Sequence, residues 1–370
     1  MPRFDLRAWS FRFRANAVTS SQDQAQLIEV FYGYNREGAK TSQGVRDSFL
    51  LQGMQAGIKS ALDCIKQFSE TDVSEDLAVP TASPPHSKLS SIRTCWHLSR
   101  SSKTMSDIAQ TIVFIHGLWL TRRSWEHWAS RYESQGYNVL TPGWPGMDAE
   151  VEELNQDPAP IAKLDITQIA DHYEALIRQL DTPPIIIGHS LGGTIMQLLL
   201  DRGLGAAGIG IAAGTVKGVP DLPLSTLWAT LPVLGNPFNP GKATPLSPEQ
   251  FHYGFTNTLS LEESNKIYER YHVPCANRVL FEVAFASLNS HAATTVSFDK
   301  PDRAPMLLIA FEHDHIVPPN ASRHNAEKYN DATTLTEFHQ FMGRPHFPGA
   351  PGWEDVADYA LDWALRVTKR

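Results

Sequence analysis

The chain has 370 residues, 42% of them apolar and 19% charged, a balance that fits one large core plus an appendage and excludes wholesale disorder or a fibre. Its formal net charge of −8 gives no general attraction to phosphate backbones, which argues against nucleic acid as the main partner. Three widely spaced cysteines, Cys64, Cys95 and Cys275, form no metal-binding pattern and suit a reducing compartment, and no apolar run is long enough for a transmembrane segment.

The first residues carry Arg3, Arg7, Arg12 and Arg14 against a single acid, Asp5. This reads either as a mitochondrial transit segment or as the frayed basic tail of a cytoplasmic protein, and with no apolar h-region secretion is not expected. Over residues 44–68, Phe49, Leu50, Met54, Ile58, Leu62 and Ile65 recur at helical spacing and predict one amphipathic helix, too little for a core of its own. Residues 69–106 are rich in Ser, Thr and Pro with little apolar periodicity and read as a linker. The expected organisation is an appendage over 1–68, a linker over 69–106 and a folded domain over 107–370.

In that domain short apolar runs alternate with helical patterns. Ile112-Val113-Phe114-Ile115 is a strand covered on both faces, followed by a helix at about 123–135 and a strand in "YNVLTP". Then come a helix at 165–180, strand Ile185-Ile186-Ile187, a helix at 191–202 and the strand "AGIGIAA". After a long insertion the pattern resumes with strand Met306–Ile309, a helix near 319–330, strand "TLTEFHQF" and a closing helix from Trp353. Such alternation predicts an α/β fold, a mostly parallel, doubly wound sheet whose ligand site lies outside the carboxyl ends of its strands.

Four of those strand ends carry chemistry. The strand through Ile187 runs into Gly188-His189-Ser190-Leu191-Gly192, a tight turn that sets Ser190 at the mouth of a helix, where free N–H groups favour an oxyanion. A serine merely capping a helix would account for the serine but not for both glycines. The strand through Ile115 ends at His116-Gly117-Leu118-Trp119, so the Leu118 and Leu191 N–H groups can point at one oxygen; His116, in a packed turn, reads as structural. After Phe311 come Glu312-His313-Asp314-His315, with Asp314 the better-placed acid and Glu312 the fallback. After Phe341 comes Gly343-Arg344-Pro345-His346, while His339 falls within its strand as a face residue. Serine, acid and histidine thus follow in the order Ser190, Asp314, His346.

On these motifs residues 107–370 resemble the α/β-hydrolase superfamily. The resemblance implies a nucleophile elbow at Ser190, a triad completed by Asp314 and His346, an oxyanion hole from Leu118 and Leu191, and a substrate contact at Trp119. Phe311, where the family often has glycine, and Pro345 before the histidine depart from its pattern. It also implies a helical cap over about 215–304. There the apolar positions from Leu222 to Phe238, including Trp228, then Phe251, Tyr253 and Phe255, and later Phe281 and Phe285, serve as core, as pocket lining, or as both. The segment "FYGYNREGAKTSQGVRDSFLLQGMQAGIKSALDCIKQFSETDVSEDLAVPT" resembles the cap region of a cofactor-free chloroperoxidase or arylesterase and carries no catalytic residue.

The expected activity is a serine hydrolase acting on a carboxylic ester, thioester or lactone through an acyl-enzyme, with a small apolar or weakly polar acyl substrate and no metal or organic cofactor. The alternatives are a perhydrolase or haloperoxidase-like reaction on the same triad and a non-catalytic ligand receptor on the same fold.

Overall fold

The computed structural model describes residues 110–219, 223–236 and 238–369. The appendage and linker read from residues 1–106 lie outside them.

Alternation in the β-branched runs builds the centre of the domain. In β1 (Thr111–Ile115), Ile112 and Phe114 enter one apolar layer while Val113 and Ile115 enter the other, as side-chain period 2 requires. β3 (Ile185–His189) divides likewise, with Ile185 and Ile187 against Ile186. Strands with two buried faces belong inside a parallel sheet. β2 (Asn138–Leu140), β1, β3, β4 (Ala207–Ile211), β7 (Met306–Phe311) and β8 (Thr336–Phe341) lie side by side in that order, every pair parallel. The alternating glycines of β4 have a packing cause: a Cβ on Gly208 would sit 2.5 Å from Leu200 Cδ1 and Met196 Sδ of the helix crossing it.

Helices cover both faces. α1 (Glu126–Ser134) puts Trp128 and Tyr132 on one layer. The short α2 (Val151–Gln156) and α3 (Ala159–Ala162) lie between β2 and α4 (Ile166–Ile177); α4 starts on a capping box made by Asp165 and Gln168. α4 and α5 (Leu191–Asp201) contribute to the other layer. Between β4 and β7 stand α6 (Leu224–Leu234), α7 (Pro248–Phe255), α8 (Leu261–Tyr271) and α9 (Asn277–Ala284), with a two-stranded antiparallel ribbon of β5 (Ala243–Thr244) and β6 (Cys275–Ala276). These elements occupy the stretch where a cap was expected. α10 (Pro319–Glu327) and α11 (Trp353–Thr368) complete the two covering layers.

The sequence expectations differ from the structure at element ends. β3 extends through Gly188 and His189, because pairing with β4 continues as far as His189 opposite Ile211. α2 and α3 were not foreseen, being too short for a periodic signal. Among the described residues no helix is long and apolar enough to cross a membrane.

Candidate active site

Ser190 follows the last residue of β3 and precedes the first of α5, and it has φ 53° and ψ −121°, a conformation that non-glycine residues rarely adopt. The surroundings hold it there: its N–H donates to Ile211 O at 3.0 Å, and its carbonyl accepts from Gly193 and Gly214 at 2.9 and 2.8 Å. The flanking glycines are required by contact. A Cβ on Gly188 would stand 2.1 Å from Gly192 O, and one on Gly192 2.1 Å from Ile115 O. Across the gap, a Cβ on Gly117 would stand 2.7 Å from Ser190 Cβ, so the β1 loop can approach the serine only as glycine.

Leu118 and Leu191 are buried and line the same cavity as Ser190. Trp119, next in the β1 loop, has φ 61° and is 3% exposed; its indole N–H donates to Thr244 O at 3.2 Å.

Asp314 and His346 meet in the interior. His346 Nδ1 donates to Asp314 Oδ2 at 2.6 Å with both side chains fully buried. The other carboxylate oxygen accepts the Ile316 and Val317 N–H groups, each at 2.8 Å. His346 Nε2 is buried without a hydrogen-bond partner among the described residues. Among the described residues Nε2 makes no hydrogen bond with Ser190, and catalytic contacts of that kind often tighten only when substrate is bound. Glu312, the fallback acid, is engaged elsewhere: its Oε2 accepts the Gly343 N–H at 2.7 Å.

The other histidines near the site have separate tasks. His116 is fully buried against Trp144, its Nδ1–H toward Gly117 O at 3.0 Å and its Nε2 toward the Trp144 N–H at 3.4 Å. Burial pushes its pKa down to about 4, so it is a neutral strut. His339 stacks on Tyr359 at 4.3 Å, a sheet-face residue. His189 was not singled out by sequence reasoning. Its Nε2–H donates to the carbonyl of His346 at 2.9 Å, and burial, with the nearby His346 ring, drives its pKa well below the ordinary value. Its place between Gly188 and Ser190, at the foot of the elbow, was the available signal.

A cavity of about 90 Å³ opens on Ser190. Its floor is Leu118, Leu191 and Gly214, and its walls are Leu280, Val283 and Ile316. From α6 it takes the row Thr226, Thr230 and Leu234, spaced by one helical turn. Both hydroxyls in that row are already used, Thr226 on Ile316 O and Thr230 on Thr226 O. Here the expectation for the cap needs refinement. Leu224 and Trp228 are 85% and 66% exposed and do not line the cavity, because α6 is apolar on nearly every side and turns its threonine row inward.

This sheet, with a glycine-locked serine after β3, an acid after β7 and a histidine after β8, defines an α/β-hydrolase. The alpha/beta hydrolase family profile matches residues 112–363, and the chain belongs to that family. The non-heme chloroperoxidase of Streptomyces lividans is 53% identical over 47 residues, 13% of this chain and 17% of that protein. The bifunctional esterase/perhydrolase DCH of Acinetobacter calcoaceticus is 49% identical over 47 residues, with the same coverage. The chain thus spans 17% of the length of each of these two relatives. An extracellular alpha/beta-hydrolase from a Paenibacillus species superposes with TM-score 0.53 at 20% identity, covering 69% of this chain and 98% of that one. At that identity the likeness establishes the fold.

Proposed function

We propose that the protein is a serine hydrolase that cleaves a carboxylic ester, thioester or lactone through an acyl-enzyme. The observation that carries this reading is the buried Asp314–His346 pair, whose second ring nitrogen has no partner among the described residues, together with a serine locked on a glycine turn. In this reading His346 Nε2 takes the Ser190 proton as Oγ attacks the acyl carbon, and Asp314 stabilises the imidazolium that forms. The Leu118 and Leu191 N–H groups receive the developing oxyanion. His346 then protonates the leaving alcohol, thiol or alkoxide. Water enters and gives its proton to the same nitrogen as its oxygen attacks the acyl carbon, and His346 returns that proton to Ser190 Oγ as the acid departs. Trp119 closes one side of the cavity and bounds the substrate. The wall residues are uncharged, which favours a small apolar or weakly polar acyl group. The widely spaced cysteines fit a cytoplasmic protein.

A second reading shares the acyl-enzyme but has hydrogen peroxide, rather than water, attack it and release a peracid; the partial likeness to an esterase/perhydrolase favours testing it. The experiment is to treat the protein with a fluorophosphonate probe and to screen aryl esters over acyl length, with and without peroxide. Labelling at Ser190 that disappears in a folded Ser190→Ala variant is the expected result. An unlabelled wild type would instead point to a ligand receptor on the same fold.

A further inference from the structure

The β1 and β8 loops carry the proposed oxyanion donor Leu118 and the proposed base His346, yet the sheet holds their strands apart, with β3, β4 and β7 between them. A single ring from the β4–β7 segment spans that separation. Phe255, the last residue of α7, is fully buried; its ring meets Trp119 edge-on at 6.2 Å and 81°, and meets His346 at 5.1 Å and 73°. Its carbonyl accepts the N–H of Phe347, the residue after the histidine, at 2.9 Å.

Two more contacts from the same segment act on the oxyanion side. Trp119 sits at φ 61°, a left-handed conformation that a bulky residue keeps only when its surroundings impose it. Its carbonyl accepts the Val273 N–H at 3.0 Å and its indole N–H donates to Thr244 O at 3.2 Å. Trp119 directly follows Leu118, so these bonds restrain the loop that carries the Leu118 N–H.

From these contacts we infer that Phe255 is a positioning residue for both halves of the catalytic apparatus, setting the oxyanion loop through Trp119 and the histidine loop through His346 and Phe347. The inference rests on the serine-hydrolase reading and adds to it that the α6–α9 segment holds the chemistry in register besides enclosing substrate. Displacements of about 1 Å in such groups lower turnover by up to about 100-fold.

Phe251 supplies a matched control. It lies one helical turn earlier on α7, is equally buried, and stacks on Phe255 at 4.6 Å, but it has no ring contact with Trp119 or His346. Phe255→Leu and Phe255→Met are compared with Phe251→Leu and Phe251→Met, the methionine variants serving because that side chain fills irregular gaps and preserves folding. For each folded protein kcat and KM on a short-chain aryl ester are measured, together with the rate of Ser190 phosphonylation by the fluorophosphonate. The Phe255 variants should lose roughly 10- to 100-fold in kcat and in phosphonylation rate, with KM changed little. The Phe251 variants should stay within a few-fold of wild type on all three. Equal losses in both sets, or losses confined to KM, would overturn the inference while leaving the hydrolase reading intact. A wild type that neither reacts with the probe nor hydrolyses any ester would remove that reading, and the inference with it.

Discussion

The carboxylate of Glu312 accepts the backbone N–H of Gly343 at 2.7 Å, and so ties the loop after β7 to the loop that delivers His346. The two acids of one loop thereby have different tasks. Glu312 helps to fix where the histidine loop begins, while Asp314, two residues on, meets the ring itself. Asp314→Asn should therefore lower kcat by about 10⁴-fold, the scale of loss when the acid of a serine triad is amidated and the wrong histidine tautomer is favoured. Glu312→Gln keeps an oxygen that can accept from Gly343 and should stay within about tenfold of wild type. Steady-state kinetics on one aryl ester decides between them, and a reversal of the two effects would reassign the acid.

How much of this was legible in the sequence follows from the range over which each residue acts. Ile112–Ile115 and Ile185–Ile187 declare buried parallel strands because burial on both faces selects a continuous β-branched run. Ser190 and Asp314 were legible at strand ends because they follow the buried β3 and β7, and His346 because it follows the half-buried β8; a parallel sheet brings those carboxyl ends together. The side-chain bond of Glu312 was not, since a loop acid written beside a loop acid gives no sign of which will meet a distant N–H. Nor was the inward row of α6: Leu224, Leu227, Trp228 and Leu231 outweigh Thr226 and Thr230 in any apolar pattern, yet the threonines face the cavity. His189 was hidden in a different way. Its place in the elbow was plain, but its partner, the carbonyl of His346, lies 157 positions away in the chain.

The elbow glycines should tolerate no Cβ. Gly192→Ala places a methyl 2.1 Å from the carbonyl oxygen of Ile115, and a central strand backbone cannot move aside as a flexible side chain can. Overpacking usually costs about 1–3 kcal/mol, and a clash with backbone should reach or exceed the upper end. Gly136→Ala is the contrast: nothing lies within 4 Å of its Cβ, so only its φ of 91° opposes the change. Urea midpoints of the two variants should differ clearly, Gly192→Ala being the less stable, and equal midpoints would show that the elbow relaxes.

Stability should fall on mild acidification because of histidines buried in their neutral form. Burial pushes His116 and His272 each down to about 4, and His189 well below its ordinary value of 6.5. Above pH 6.5 these rings are neutral in both folded and unfolded chains and contribute no pH dependence. Between pH 6.5 and about 4 the unfolded chain binds protons that the folded chain refuses, so stability is lost as pH falls, by up to about 1.4 kcal/mol per pH unit for each ring. His272 accepts the Leu246 N–H at 3.0 Å, so His272→Gln keeps an acceptor while removing the titration. Its unfolding free energy should vary less steeply with pH over that window than that of the wild type. An unchanged slope would mean that His272 is protonated in the folded state.

Acyl length should be set by the wall that α9 contributes. The cavity at Ser190, about 90 Å³, is smaller than the roughly 150 Å³ that accommodates benzene in an engineered protein cavity, so an acyl group of only a few carbons is the expected fit. Leu280 and Val283 stand one helical turn apart on α9, and both line it. Leu280→Ala opens that wall without touching Ser190, Asp314 or His346. Among p-nitrophenyl esters the wild type should prefer the shortest acyl chains, and the variant should shift its optimum towards longer chains while keeping most of its activity on the acetate. The shift should appear in kcat/KM, because longer acyl groups gain binding that the wild-type wall denies them. A wild type that favours long chains from the outset would mean that the α9 wall does not set the limit.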